Sequence, residues 1–537
     1  MTIFRSFYSP ILQTNIDTSK LIYAFLIIIV IERTVAFRKA CRTINDLPGI
    51  RSPFSPLGPL GAIMGTTWWQ TGPDMLWIRK KELYRTQETL SVVPWLYGSP
   101  IIYTTNMDVM KQFISTSGLF VKADEAMMGP NMYGQNVFTT EGAEWRKHRR
   151  VMGPAFSHSL YRMVWDESSK TYREMVSAEG WSEKKTVDVP VTQVATFKFA
   201  LVVIGLCAFG FDFKWTEPPT TSEGEMSIQE AMRIVIDNFL YLIFTPSWLR
   251  LLPSFKHLQK AYDQLGQFMK NQVQVRREEI HGYVGGEYTR KDMFSMLVQA
   301  NESEAGKNKL EDSELIGNVF VMLFAGHETT ANSLATTLAF LSIHQDAQDE
   351  VVQQIIDVVG YERDPAFEDY SKLNKVLAAF YEALRLFPSG FMLLRVMGED
   401  AVISIPNPRG QEGTQPCPIP KGTWVIVDMI GVHRNPRYFE EPEKYKPSRW
   451  HGIPNDSEQF TAFSAGSRAC IGRKFATTEA VCFLTMFLRD WKVEPLLRAG
   501  ETVEGWKTRV VDAKVGFTLG IKDVPVRLIR RERHSGT

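Results

Sequence analysis

One stretch near the C-terminal end constrains this chain more than any other: Phe463-Ser-Ala-Gly-Ser-Arg-Ala-Cys-Ile-Gly472. Its single cysteine, Cys470, sits in a loop built from an aromatic residue, two glycines and an arginine, and a helical pattern begins directly behind it at Arg473. A thiolate at a helix N-terminus is stabilised by free backbone N–H groups and by the positive end of the dipole. Gly466 and Gly472 permit a tight turn and a close approach of backbone to a flat ligand. Phe463 is placed to pack beside the sulfur, and Arg468 to pair with an anionic group next to it. A free cysteine more often packs as a small, inert hydrophobe. The spacing Phe-x-x-Gly-x-Arg-x-Cys-x-Gly shifts the balance, because five fixed positions at roughly one in twenty each arise by chance on the order of 10⁻⁴ times in a chain this long.

A buried thiolate needs a cationic partner, and a ferric haem iron is one. The stretch resembles the cysteine-ligand loop of the cytochrome P450 family, the haem-thiolate monooxygenases. By that resemblance Cys470 is the axial ligand of haem b, with Phe463 and Arg468 beside it. Further motifs stand in the family's order. Trp145 and Arg149 are four apart and share a helical face; they resemble the Trp-x-x-x-Arg that hydrogen-bonds the haem propionates. Midway along a helical pattern from Glu311 to about Ser342 lies Ala325-Gly-His-Glu-Thr-Thr330. There Gly326, and a Thr329 hydroxyl bonded back to the carbonyl of Ala325, are expected to open a groove. Glu328 and Thr329 match the family's acid–alcohol pair, which relays protons toward the haem. Glu382 and Arg385, joined by Arg449, match a triad that pins the loop presenting the cysteine, although Ser448 stands where the family usually has Glu. Arg395, in a strand after Pro388, takes a propionate in the family's pattern. The resemblance covers residues 60–530.

The implied fold is mainly α with a small β part: a single-domain cytochrome P450 fold with a long central helix across the haem. Composition agrees, since 44% hydrophobic and 23% charged residues are ordinary for a globular chain. A length of 537 residues alone suggests three or four domains, but no Gly/Ser-rich linker and no internal repeat divides residues 60–530. The formal net charge of +1 argues against nucleic acid as a partner. Cys41, Cys207, Cys417, Cys470 and Cys482 are odd in number and scattered, so a disulfide framework is not expected and the catalytic body belongs in a reducing compartment.

Residues 1–59 read as a membrane anchor, a basic stop and a proline-rich hinge. Leu21–Ile31 is an unbroken apolar run, about 17 Å long as a helix against a hydrocarbon core of about 30 Å. Arg33, Arg38, Lys39 and Arg42 hold the following side in the cytoplasm. Pro48, Pro53, Pro56 and Pro59 stiffen the connection. Residues 60–537 are then the haem-thiolate catalytic domain, expected on the endoplasmic reticulum membrane and facing the cytosol. Within it, residues 75–85 are expected to be helical, 92–105 to form a hairpin and 515–528 a closing hairpin. The Met- and Tyr-rich segment 122–140 suits an adaptable pocket wall. Met127, Met132, Phe320, Phe324, Phe391 and Leu393 are candidate cavity-lining residues. Asn301 and Asn455 match glycosylation acceptors, silent in a cytosolic body.

The resemblance implies a monooxygenase that hydroxylates or otherwise oxidises a lipophilic small molecule with O2. Its texture is similar to fungal secondary-metabolism members, which points to a terpenoid or another secondary metabolite. No flavin or nicotinamide domain follows the haem region, so electrons are expected from NADPH–cytochrome P450 reductase, with cytochrome b5 as a further donor. The expected docking face combines Arg468, Arg473 and Lys474 with Arg146, Lys147 and Arg150. Two other readings compete. An oxygen-independent haem-thiolate isomerase or dehydratase tends to lack the acid–alcohol pair, which is present here. A non-catalytic haem-binding protein has no use for that pair.

Overall fold

Glu311 ends an extended segment, and from Asp312 to Ile343 the chain runs as one helix of 32 residues. Its first turn is closed by Glu314, whose carboxylate accepts from the Glu311 backbone N–H at 2.8 Å. At about 1.5 Å per residue the helix is about 48 Å long. Nearly all of it is buried, as expected of a helix apolar all round. It packs against helices Thr192–Phe209, Asn374–Leu386, Lys256–Gly282 and Arg473–Asp490. In the computed structural model, residues 18–532 are described, except 115–117, 219, 221–224, 247, 283–289, 305, 455–456 and 458–459. The first part of the expected anchor and the Asn455 acceptor therefore lie outside the described residues.

Helix Thr192–Phe209 is, among the described residues, the helix long and apolar enough to cross a membrane, with mean hydropathy 1.8. Two-thirds of it is buried inside the body, where Phe199, Val202, Val203 and Cys207 join the core. The small β part flanks the helices. Its main sheet runs Gly49–Phe54, Thr89–Tyr97, Ile101–Thr104, Trp424–Asp428, Met392–Met397 and Phe120–Val121. The expected hairpin is present, with Thr89 opposite Thr104 and Val92 opposite Ile101.

Two local expectations change. The helix expected over 75–85 stops at Ile78, because the Arg79 guanidinium bonds the Thr67 carbonyl and the Lys80 ammonium settles 3.7 Å from the Trp77 ring centroid. The closing hairpin is smaller than expected. Ala513–Val515 pairs with Leu519–Ile521, whereas Val526–Arg530 joins Trp491–Pro495 and Thr186–Val189 in a separate sheet. Near the N-terminus, helix Thr18–Thr43 continues through the basic residues. Its apolar stretch Leu21–Ile31 is exposed, while Cys41 and Ile44 bury in the core beside the sheet, with Phe37 and Ala40 packed on it. Arg33 ties the helix to the sheet by donating to the Leu96 carbonyl at 2.9 Å.

A buried ionic knot fixes the long approach to the Cys470 loop. Glu382 and Arg385 are both fully buried. The carboxylate accepts two guanidinium bonds from Arg385 at 2.9 Å, one from Arg449 at 3.0 Å, one from the Trp450 indole at 2.9 Å and one from the Lys446 backbone at 2.9 Å. Arg385 also donates to the carbonyls of His433, Pro442 and Lys444. The expected triad is thus present geometrically, widened by Trp450 and main-chain groups. A buried pair of this kind is costly to break because the surviving charge is stranded. Glu382→Gln is expected to lower unfolding free energy by about 3–5 kcal/mol in urea denaturation; a loss below about 1 kcal/mol would show that the knot does not pin the loop.

Candidate functional site

The Cys470 loop is held by its own backbone. The Cys470 N–H donates to the Phe463 carbonyl at 2.9 Å, and the Ala469 N–H donates to the Gly466 carbonyl at 3.1 Å. Gly466 has φ +67°, a conformation that a side chain resists. Helix Arg473–Asp490 starts two residues after the sulfur-bearing position is passed, with Gly472 as its N-cap. Phe463 packs edge-on to Phe460 at 5.9 Å and to Tyr381 at 6.5 Å. Cys470 is exposed, whereas Cys41, Cys207, Cys417 and Cys482 are buried. Protein nevertheless encloses Cys470 deeply enough for burial to push its thiol pKa up. Opposing that burial, the N–H groups of Gly472 and Arg473 bond the sulfur, and the charges of Arg149 and Arg473 act on it. Those groups soften the cost of a thiolate without cancelling it, so a further cation is required for the anion to persist.

Unsatisfied donors collect beside the sulfur. Arg468 pairs with Glu141 at 2.6 Å and lies 4.1 Å from the Trp145 ring centroid. Its second terminal nitrogen, Nη1, is buried without a hydrogen-bond partner. The Arg149 guanidinium has no hydrogen bond or ion pair among the described residues, and burial lowers its pKa. Arg395 donates only to the neighbouring Leu394 carbonyl, at 2.8 Å. An orphaned buried donor such as Arg468 Nη1 is rare in folded proteins, and with the partly buried Arg149 and Arg395 guanidinium groups it fits a ligand with two carboxylates, as a haem has. The structure brings Cys470, Phe463, Arg468, Trp145, Arg149 and Arg395 to one region, as the motifs predict. Glu141, the counter-charge of Arg468, carries no motif and was not expected.

Midway along its length the long helix opens. Ala325 is exposed, and Gly326, Glu328 and Thr329 are partly open, on a helix otherwise buried on both sides of them. The Thr329 hydroxyl donates to the Ala325 carbonyl at 2.8 Å, as expected. Gly326 plays a different part from the one expected. A Cβ there would lie 2.4 Å from Ile204 Cδ1, so the glycine lets helix Thr192–Phe209 close up, and the opening lies on the Ala325–Thr329 side. Glu328 turns away from Thr329. Its carboxylate accepts from the Thr518 hydroxyl at 2.5 Å. Burial pushes the Glu328 pKa up and Asp237 adds to the shift, while Thr518 and Lys514 oppose it.

Other expectations are corrected by packing. Phe320 is fully buried against Tyr133 at 4.7 Å, and Phe391 is buried too, so both fill the core rather than line a cavity. Phe324 stacks on Phe239 at 4.2 Å and meets Phe517 at 4.8 Å. Met127 and Met128 border a cleft of about 380 Å³ whose other walls, Asp124, Asn131, Gln135, Thr139 and Thr140, are polar. The expected basic docking face is largely neutralised within the chain. Lys147 pairs with Glu144 and Glu314, each at 2.9 Å, Arg150 pairs with Glu304 at 2.7 Å, and Arg468 points inward to Glu141. Lys474 sits over the Tyr370 ring at 3.4 Å.

Residues 56–515 match the family model described as Cytochrome P450. "Cytochrome P450 monooxygenase 124" of Postia placenta is 33% identical over 93% of this chain and 97% of its own length. "Cytochrome P450 monooxygenase prx9" of Penicillium rubens is 27% identical over 78% of each chain. The crystal structure of the cytochrome P450DA heme domain superposes with a TM-score of 0.69 over 91% of this chain and all of that one, at 20% identity, and so shows the fold. The chain belongs to the cytochrome P450 family, whose monooxygenases carry haem on a cysteine thiolate.

The Glu328–Thr518 bond makes a direct prediction. A hydrogen bond to a charged group is worth about 1.5 kcal/mol or more, which is about one pKa unit. Thr518→Val is expected to raise the Glu328 pKa by about one unit, read from its carboxyl stretch in an infrared pH titration. An unchanged midpoint would place the carboxylate outside the reach of Thr518.

Proposed function

We propose that this cytochrome P450 holds its haem through Cys470 and oxidises a lipophilic small molecule at the open patch formed by Ala325 and Thr329. The carrying observation is that Cys470, alone among the five cysteines, is exposed, with the charges of Arg149 and Arg473 acting on it and the Arg468 Nη1 of the same loop buried without a hydrogen-bond partner. When bound, the haem supplies the iron centre at which dioxygen is activated, so that substrate, O2, two electrons and two protons yield hydroxylated product and water. The chain's residues do the rest. Gly472 and Arg473 N–H groups hold the sulfur, while Arg468, Arg149, Trp145 and Arg395 hold the propionates. The Thr329 hydroxyl commits its own proton to Ala325 and keeps its lone pairs for a water. Glu328 is the acid. Burial raises its pKa, so it keeps a proton at higher pH than an exposed carboxyl does, and loses that proton as pH rises through the raised value. The Thr518 hydroxyl holds it in place.

The Phe239–Phe324–Phe517 cluster supports an apolar substrate, and the likeness to fungal relatives supports a terpenoid or another secondary metabolite. Electrons come from NADPH–cytochrome P450 reductase, with cytochrome b5 as a further donor, through a face on which Arg146 and the outward side of Arg150 remain exposed. The exposed apolar stretch Leu21–Ile31, together with exposed Ile63, Trp68, Tyr241 and Trp248, supports anchorage in the endoplasmic reticulum membrane with the body in the cytosol.

Thr329→Ala is expected to leave NADPH consumption running while product per NADPH falls about tenfold or more, with the electrons recovered as hydrogen peroxide. Unchanged coupling would remove Thr329 from proton delivery. Raising salt from about 0.05 M to about 0.5 M shortens the screening length severalfold and is expected to raise KM for the reductase severalfold; a flat response would exclude electrostatic docking.

A further inference from the structure

The carboxylate of Glu328 ends a chain of side chains that starts outside its motif. Asn332 stands four residues after Glu328 on helix Asp312–Ile343 and so shares its face. It is buried, and its carboxamide nitrogen donates to the Thr518 hydroxyl at 3.4 Å. Thr518, buried in turn, donates to Glu328 at 2.5 Å. The direction of this chain is fixed. A carboxylate only accepts and a threonine hydroxyl has one proton, so Thr518 commits that proton to Glu328 and accepts from Asn332. A hydroxyl that accepts one hydrogen bond donates the next more strongly. Gly520 makes room for the arrangement: a Cβ there would lie 2.9 Å from Asn332 Oδ1 and 3.2 Å from Nδ2. The turn that carries Thr518 is held as well. The Leu519 N–H donates to the Ser389 carbonyl at 3.0 Å, and the Ser389 hydroxyl donates to the Thr329 carbonyl at 3.3 Å. The Asn332 side chain has no hydrogen bond to Glu328 or Thr329 among the described residues. Besides burial, the charges of Asp237, at the end of helix Ile228–Asp237, and Lys514, in strand Ala513–Val515, act on Glu328. His327 beside it is held neutral by burial, its pKa lowered to about 4.

We propose that Asn332 is a positioning residue for proton delivery, orienting the Thr518 hydroxyl so that it holds the Glu328 carboxylate away from Thr329. The inference rests on Glu328 being the acid. It goes beyond the acid–alcohol pair and Thr518, because Asn332 lies outside the motif Ala325–Thr330 and acts on the acid through another residue. Removing the Asn332 carboxamide weakens the bond from Thr518 to the ionised carboxyl, so Glu328 keeps its proton to higher pH. Once Thr518 has no hydroxyl, Asn332 has nothing to act through.

The test uses the full-length holoprotein with Asn332→Leu, Gly520→Ala, Thr518→Val and the double variant Asn332→Leu/Thr518→Val. The thiolate-type carbonyl spectrum reports an intact site. The Glu328 carboxyl stretch, identified by its loss in Glu328→Gln, is followed in an infrared pH titration. Asn332→Leu is expected to keep the thiolate spectrum and raise the Glu328 midpoint by about half a unit. NADPH consumption with reductase and no added substrate is expected to hold to a pH higher by the same amount before it falls. In the Thr518→Val background Asn332→Leu is expected to shift neither quantity. Gly520→Ala, whose Cβ crowds the carboxamide off Thr518, is expected to raise the midpoint in the same direction. A wild-type midpoint in Asn332→Leu, or an equal shift with and without the Thr518 hydroxyl, overturns the role of Asn332 and leaves that of Glu328 standing. NADPH consumption with an unchanged pH dependence in Glu328→Gln overturns Glu328 as the acid, and the proposal with it. If Asn332→Leu retains no haem, Gly520→Ala decides: a raised midpoint supports the proposal, and a wild-type midpoint overturns it.

Discussion

A sulfur anion enclosed by protein is unstable unless opposite charge meets it, and the Cys470 loop is arranged to supply that charge. Burial drives the thiol pKa up, while two backbone N–H groups at the start of helix Arg473–Asp490 and the charges of Arg149 and Arg473 pull the other way. None of these is a full counter-ion in contact, and the proposed role of the haem iron is to supply the remaining compensation. Holding the loop still is then a separate structural task. The Glu382–Arg385–Arg449 knot performs it by gathering the main chain between His433 and Lys446. That knot touches no reacting group and acts through the position of the sulfur.

The opposite wall has its own logic. A helix buried along nearly its whole length has few places where a ligand can reach it, and the opening at Ala325–Thr329 is such a place. Gly326 lets the neighbouring core helix approach on one side, and Thr329 turns its hydroxyl back onto the helix. Glu328 is tied to Thr518, which lies in the turn after Ala513–Val515. The Glu328 carboxyl is therefore coupled to a segment remote in sequence, the same turn whose Phe517 packs on Phe239 and Phe324.

What could be read from the residues alone was what local spacing encodes. The Cys470 loop, the i,i+3 pair Glu382–Arg385, the Trp145–Arg149 face and the Thr329–Ala325 bond all depend on positions a few residues apart, and each appears in the structure as geometry. What could not be read depends on distant partners. Glu141 meets Arg468 across more than three hundred residues, and Thr518 meets Glu328 across nearly two hundred. Two charges of the basic docking face meet distant partners in the same way: Glu314 pairs with Lys147 and Glu304 with Arg150, from segments that no local rule places beside them. The packing of Cys41 and Ile44, at the end of helix Thr18–Thr43, into the core beside the sheet likewise depends on distant partners.

The central claim is that one particular sulfur holds the iron. Iron K-edge absorption fine structure of the purified ferric protein measures this directly. The account predicts one sulfur scatterer in the first shell of the wild-type protein, absent from Cys470→Ala although Cys41, Cys207, Cys417 and Cys482 remain. A first shell of nitrogen and oxygen alone in the wild type, or a sulfur that persists in Cys470→Ala, would contradict it.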